Sequence, residues 1–149
     1  MLLSRSDLTP SGHRFLGGVS TAATEHHGLC KGQVDGMITD TRALLIAGIQ
    51  LAVQTYRRAG DTLGWDAHSL DELVLHQVSK AHTEKLAQAL ELDLSKVHRL
   101  YPEYGNVGPA AVPMVLAKAV EAGRINAGDR VGMMGIGSGL NCSMAEIVW

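Results

Sequence analysis

The sequence predicts one α/β domain, and three observations carry the prediction. Apolar segments with strand or helix character follow one another in the order strand–helix–strand–helix–helix–strand–strand, the pattern of a layered sheet-and-helix protein. The length of 149 residues suits a single hydrophobic core. Hydrophobic residues make up 46% of the chain and charged ones 19%, a balance that supports a packed interior and not a disordered tail. Because only 4% of residues are aromatic, that interior has to be built from Ala, Val, Leu, Ile and Met.

The elements are justified in turn. MLLSRS reads as a short strand, followed by a polar turn at Ser6–Gly12 and a strand from about Arg14. Residues 21–38, TAATEHHGLCKGQVDGMI, read as a loop rich in Gly and His. Thr39 or Asp40 offers an N-cap for a long helix that runs to about Ala59, with Gly60 as its stop. Its stretch ALLIAGIQLAV is apolar almost all round, which predicts cover on most sides. DELVLHQ is a short strand, and SKAHTEKLAQALEL an amphipathic helix capped by Ser79, with Leu86, Leu90 and Ala87 inward. A strand at Val97–Leu100 is expected next. A helix then starts near Pro109, a good first-turn residue, and ends at Gly123. DRVGMMGIGSGLNCSMAEIVW closes the chain as a β-hairpin with a Gly-rich turn. Ala110, Ala111, Val112, Met114, Val115, Ala117 and Ala119 go most of the way round their helix. That excess of apolar surface predicts a further layer from another domain or chain.

Composition excludes several functions. The net charge is −2 with no Lys/Arg block, so there is no electrostatic footprint for nucleic acid or an anionic membrane. Apolar runs are broken by Gly, Gln or Ser well short of the ~20 residues of a membrane span. No export signal opens the chain, which predicts a cytoplasmic protein with Cys30 and Cys142 reduced and buried. There is no CxxC, no HExxH and no ligand cluster, so no metal site is expected.

Three features could carry chemistry. His76 ends the DELVLH strand, where open α/β sheets place reactive groups; it could equally be a core histidine bonded to a backbone carbonyl. Asn106 lies in EYGNVGPAAVP between Gly105 and Gly108, as a held donor or as a left-handed turn residue ahead of a helix. GIGSGLN, residues 135–141, joins two strands instead of opening a helix, so it is not a dinucleotide fingerprint. It is either a plain hairpin turn or a place where backbone N–H groups meet a developing oxyanion.

Taken in order, LHQVSKAH, YGNVGPAAVP and GIGSGLN resemble the C-terminal half of thiolase-fold condensing enzymes of the ketoacyl-ACP synthase III type. There the motifs read roughly HQAN, GN(T)SAASxP and GxGGG. His76 and Asn106 are 30 residues apart, which fits that family. GNVGPAAVP, GSGLN, ATEHHGLC and ITDTRALL further resemble the olefin-pathway branch, which condenses two long-chain acyl-CoAs without decarboxylation and releases a β-keto acid. The resemblance implies one C-terminal half-domain over residues 1–149, half of a layered α-β-α-β-α fold with a mixed sheet and a buried central helix.

The resemblance also implies roles. His76 and Asn106 would donate hydrogen bonds to a thioester or enolate oxygen. Ser138 would supply a backbone N–H to a second oxyanion hole, with Gly139 beside it, and its hydroxyl could join the polar network of His76 and Asn106. Ser79 stands where the family has Asn and suits a helix cap, while His82 is expected to be solvated or near the pantetheine entrance; both are weak candidates for the acyl-CoA channel. Glu25, His26 and His27 would belong to a loop lining that channel or a dimer contact. No cofactor is expected beyond the acyl-CoA or acyl-ACP substrate.

The family's nucleophile is a cysteine of the N-terminal half, and neither Cys30 nor Cys142 matches its motif. The expected partner is therefore an N-terminal half carrying that cysteine, in an enzyme that is a dimer when whole, and this chain alone is expected to be inactive. Two alternatives stay open: a fragment of a decarboxylative 3-oxoacyl-ACP synthase III, and a non-catalytic scaffold subunit.

Overall fold

The computed structural model describes residues 3–9, 11–66 and 68–149. Its main sheet has four strands in the order β1–β6–β5–β4, made of β1 (Arg14–Ala22), β4 (Glu72–Leu75), β5 (Arg130–Gly137) and β6 (Asn141–Val148). β1, β6 and β5 run antiparallel to their neighbours, and β4 lies parallel to β5, so the sheet is mixed. β2 (Cys30–Gln33) and β3 (Gly36–Thr39) form a separate hairpin. The helices are α1 (Thr41–Leu63), α2 (Lys80–Leu90), the single turn α3 (Tyr101–Tyr104) and α4 (Ala111–Glu121).

Alternation along the strands divides the interior in two. Leu73, Leu75, Met134, Cys142 and Met144 pack with α1 and α2. Val74, Val131 and Ile147 face the other way and pack with Val115 and Ala119 of α4. β4 is buried at all four positions, as a parallel strand covered on both faces must be.

Most elements stand where the sequence places them; the departures have physical causes. The helix α1 does not stop at Gly60. It continues to Leu63 and is capped by Gly64 at φ 69°, since a glycine ends a helix only where the chain turns left-handed. Gly60 instead admits the Trp65 carbonyl, which would lie 3.2 Å from a Cβ there. Within this chain α1 is covered on one face, where Ala47, Leu51, Ala52, Thr55 and Ala59 are buried, while Ile46 is 50% exposed. Residues 21–38 are not a loop throughout: a 3₁₀ turn at Thr24–Leu29 leads into the β2–β3 hairpin, whose strands are joined by the two-residue turn Val34-Asp35. No strand forms at residues 3–9, and Met1 and Leu2 lie outside the described residues.

The strand expected at Val97–Leu100 is reduced to one parallel bridge between Val97 and Leu73. Side chains replace the ladder. Lys96 Nζ donates to the Leu70 carbonyl at 2.7 Å. Arg124 pairs with Glu72 through two bonds of 2.7 and 2.9 Å and donates to the Ser95 carbonyl at 2.6 Å. The segment 94–101 thus runs along β4 tied by polar side chains.

A second ion pair lies at the same end of the sheet. Glu146, fully buried, accepts two bonds from Arg130, at 2.5 and 3.1 Å, and one from the Trp65 indole at 2.7 Å. These bonds outweigh the burial that opposes ionisation and hold the Glu146 carboxyl below its ordinary range. Removing one partner of such a pair leaves a buried charge uncompensated. Arg130→Met is therefore expected to cost about 3 kcal/mol, read as a lowered urea midpoint; a loss below the experimental error would overturn this account.

Candidate active site

His76 is placed by the end of β4. Its backbone N–H donates to the Met134 carbonyl at 2.7 Å, one residue beyond the Leu75↔Met134 pair. Its imidazole opens into a narrow, almost wholly apolar cleft between the sheet and the α1–α2 layer, lined also by Ala52, His82, Leu86, Ile136 and Cys142. Burial in that cleft pulls the His76 pKa below its ordinary value of 6.5, and the nearby Gly108 backbone works the other way.

Asn106 follows α3. Gly105 turns the chain at φ 64°, ψ −147°, a backbone state that a side chain resists. The Asn106 Oδ1 accepts the Gly108 N–H at 3.0 Å. Because a backbone N–H can only donate, this bond settles which end of the amide is oxygen and leaves Nδ2 as the free donor. The Gly108 backbone thus lies beside the His76 ring and bonds the Asn106 side chain through its N–H. Chemically this puts a neutral amide and an imidazole next to an apolar cleft, groups suited to an oxygen that gains negative charge.

Ser79 is the N-cap of α2, its hydroxyl accepting the His82 N–H at 3.3 Å. His82 is not solvated. It turns inward and shares the cleft with His76; its Nδ1 is buried with no partner among the described residues. Burial first, and the neighbouring His76 second, lower its pKa.

Ser138 begins the β5–β6 turn, roughly 13 Å along the strand beyond Met134 at about 3.3 Å per residue, with its side chain beside the Cys30 thiol. Among the described residues no acceptor takes the backbone N–H of Ser138 or Gly139, while the next residue, Leu140, exchanges two backbone bonds with Ala23, at 2.9 and 3.1 Å. Cys30 and Cys142 are both free thiols. Hydroxyl bonds from Ser138 and Thr39 hold the Cys30 thiol below its ordinary value, whereas burial pushes Cys142 up. Glu25, His26 and His27 lie on the 3₁₀ turn before β2 with no buried residue among them. Among the described residues no group of three His, Cys, Asp or Glu side chains could hold a metal ion, and no helix is long and apolar enough to cross a membrane.

Sequence reasoning missed Gln77. It is 1% exposed, and its carboxamide bonds the backbone of three residues in the segment leading to Asn106. Its only signal in the sequence is its place directly after His76 at the strand end.

Both cleft imidazoles bind a proton more weakly in the folded chain than their ordinary value of 6.5. As pH falls below about 6.5 the unfolded state takes up more protons than the folded one, so stability is complete above that value and declines beneath it. The expected result is an unfolding midpoint that drops between pH 7 and pH 5, with a shallower drop in His82→Leu. Equal slopes in the two proteins would contradict the assignment.

The chain has relatives among known proteins along its whole length. Residues 61–149 match the family model described as 3-oxoacyl-(acyl-carrier-protein) synthase III, C terminal. An acyl-CoA:acyl-CoA alkyltransferase of Xanthomonas campestris is 51% identical over 149 residues, 100% of this chain and 44% of its own length. One from Shewanella oneidensis is 32% identical over 92% of this chain and 42% of its own length. A crystal structure of Xanthomonas campestris OleA with bound lauric acid and lauroyl-CoA superposes with a TM-score of 0.93 and 51% identity, covering 98% of this chain and 43% of that one. The chain thus spans less than half the length of these relatives.

Proposed function

The chain belongs to the family of the 3-oxoacyl-(acyl-carrier-protein) synthase III C-terminal domain, and from that premise we propose that it carries the paired donors of an acyl-thioester condensing site. The observation that carries the proposal is that His76 ends β4 in the apolar cleft, while the Asn106 carboxamide is held by the Gly108 N–H with its nitrogen left to donate. In a Claisen condensation the carbon next to one thioester carbonyl loses a proton, or carbon dioxide in the decarboxylative route, and attacks a second acyl group. The new C–C bond forms as the C–S bond of that acyl group breaks and its thiolate leaves. Charge collects on the carbonyl oxygens, and fixed neutral donors stabilise it without reorganising during the reaction. His76 is kept neutral by burial, and the Asn106 amide has no charge to lose.

The nucleophile comes from outside this chain. Cys142 is buried with its thiol pKa raised, and Cys30 lies in the β2–β3 hairpin against Ser138, not in the His76 cleft. The natural source is the part of the relatives' length that this chain does not span. Exposed apolar side chains on the β2–β3 hairpin and α1, among them Met37, Ile38 and Ile46, are surface for that partner to cover. Acyl-CoA as substrate and a non-decarboxylative outcome are supported by the alkyltransferase relatives, which align over 100% and 92% of the chain. A dimeric, cytoplasmic enzyme of olefin biosynthesis is the fuller form of the proposal.

Mixing this chain with a polypeptide corresponding to the missing length of the Xanthomonas relative is expected to restore acyl-CoA consumption, with none from this chain alone. Turnover by the isolated chain would sink the proposal. In the mixture Asn106→Ala is expected to slow the reaction about 10²–10³-fold, the usual loss for one oxyanion donor; an unchanged rate means that Asn106 is no donor. Product analysis separates the two chemistries, since carbon dioxide release indicates the decarboxylative route and a 2-alkyl-3-keto acid the other.

A further inference from the structure

His76 and Asn106 sit on separate segments, and their relative position has to be set by something other than chain connectivity. The residue after His76 is buried and polar. Gln77 Nε2 donates to the His98 carbonyl at 2.6 Å, and Oε1 accepts the N–H groups of Leu100 at 2.7 Å and Tyr101 at 3.2 Å. Two backbone N–H donors on one oxygen leave no ambiguity in the amide's orientation.

The bonds fall at a critical point of the path. Leu100 and Tyr101 begin the turn α3, whose first N–H groups have no partner within the turn itself. Gln77 satisfies two of them, so it caps α3 from across the structure. The turn then passes its orientation on: Tyr104 N–H bonds the Leu100 carbonyl at 3.1 Å and Gly105 N–H the Tyr101 carbonyl at 3.0 Å, and Asn106 is the next residue. The strand end that aims His76 therefore also fixes, through one side chain, the start of the turn that aims Asn106.

We propose that Gln77 is a positioning residue that couples the two donors, holding the α3 turn so that Asn106 Nδ2 and the His76 imidazole converge. The proposal rests on the donor roles given above. Gln77 touches neither substrate nor reacting atoms; it acts through Asn106. Displacements of about 1 Å at a reacting centre can cost up to about 10²-fold in rate.

The test is a double-mutant cycle in the mixed two-polypeptide enzyme. Gln77→Leu is expected to lower kcat 10- to 100-fold with KM within twofold. In an Asn106→Ala background the same change is expected to cost less than twofold more, because the donor it positions is gone. Gln77→Glu keeps an acceptor for Leu100 and Tyr101 but loses the donor to His98, and is expected to fall between wild type and Gln77→Leu; it serves also if Gln77→Leu does not fold. Independently of activity, amide hydrogen exchange at Gly105 is expected to speed at least tenfold in the Gln77 variants while the amides of α2 keep their protection. Multiplicative losses in the double variant, or unchanged Gly105 exchange, overturn the coupling. If Asn106→Ala alone leaves the rate unchanged, the donor reading fails instead, and the exchange result still decides whether Gln77 holds the turn.

Discussion

The parallel pairing of β4 with β5 is the constraint on which the rest of the structure depends. β4 has four residues, all buried, with Leu73 and Leu75 on the α1–α2 side and Val74 on the α4 side. Buried on both faces, it cannot slip by one residue without exchanging those two sets of contacts. The pairing of Leu75 with Met134 then carries over to the His76 N–H on the Met134 carbonyl. A packing preference in the interior thereby becomes a fixed position for an imidazole at the sheet's edge.

What lies beyond the sheet is held differently. A fifth strand beside β4 would bond through a backbone ladder, but Pro102 and the turn around it leave only the Val97 bridge. Lys96, Arg124 and Gln77 take over, each donating to a backbone carbonyl on or beside β4. Side-chain bonds of this kind restrict direction as well as distance, and they leave residues 105–108 free to bend sharply toward the cleft. An irregular connection so anchored can carry a functional side chain without being mobile.

The cleft owes its character to what it excludes. Its walls are Ala, Leu, Ile, Met and Cys side chains, and its polar ring atoms belong to His76 and His82. Low polarity disfavours a charged imidazole and strengthens any hydrogen bond made there. The same surroundings suit an acyl chain beside a thioester. The carboxylates, by contrast, are kept away from it. Glu72 and Glu146 are buried, each paired with an arginine, at the end of the sheet where β4 and β5 begin, away from the strand end that carries His76.

The main-sheet strands from Arg14 onward, the three long helices, the Ser79 cap, the apolar stripe of α2 and the closing hairpin were legible in the sequence, because each depends on residues near one another in the chain or on a motif with its own spacing. The end of α1 was misjudged at Gly60, since glycine stops a helix only when the following backbone turns left-handed, and that is set by where Trp65 packs. The inward turn of His82, the approach of Ser138 to Cys30 and the anchoring by Gln77 were invisible for a related reason. Each joins residues distant in sequence, and a polar side chain has no periodicity to betray whether its partner is water or a buried backbone group. Local pattern determined which elements form and which residues carry chemistry; only the tertiary structure decided which of them meet, because that depends on the packing of one layer against another.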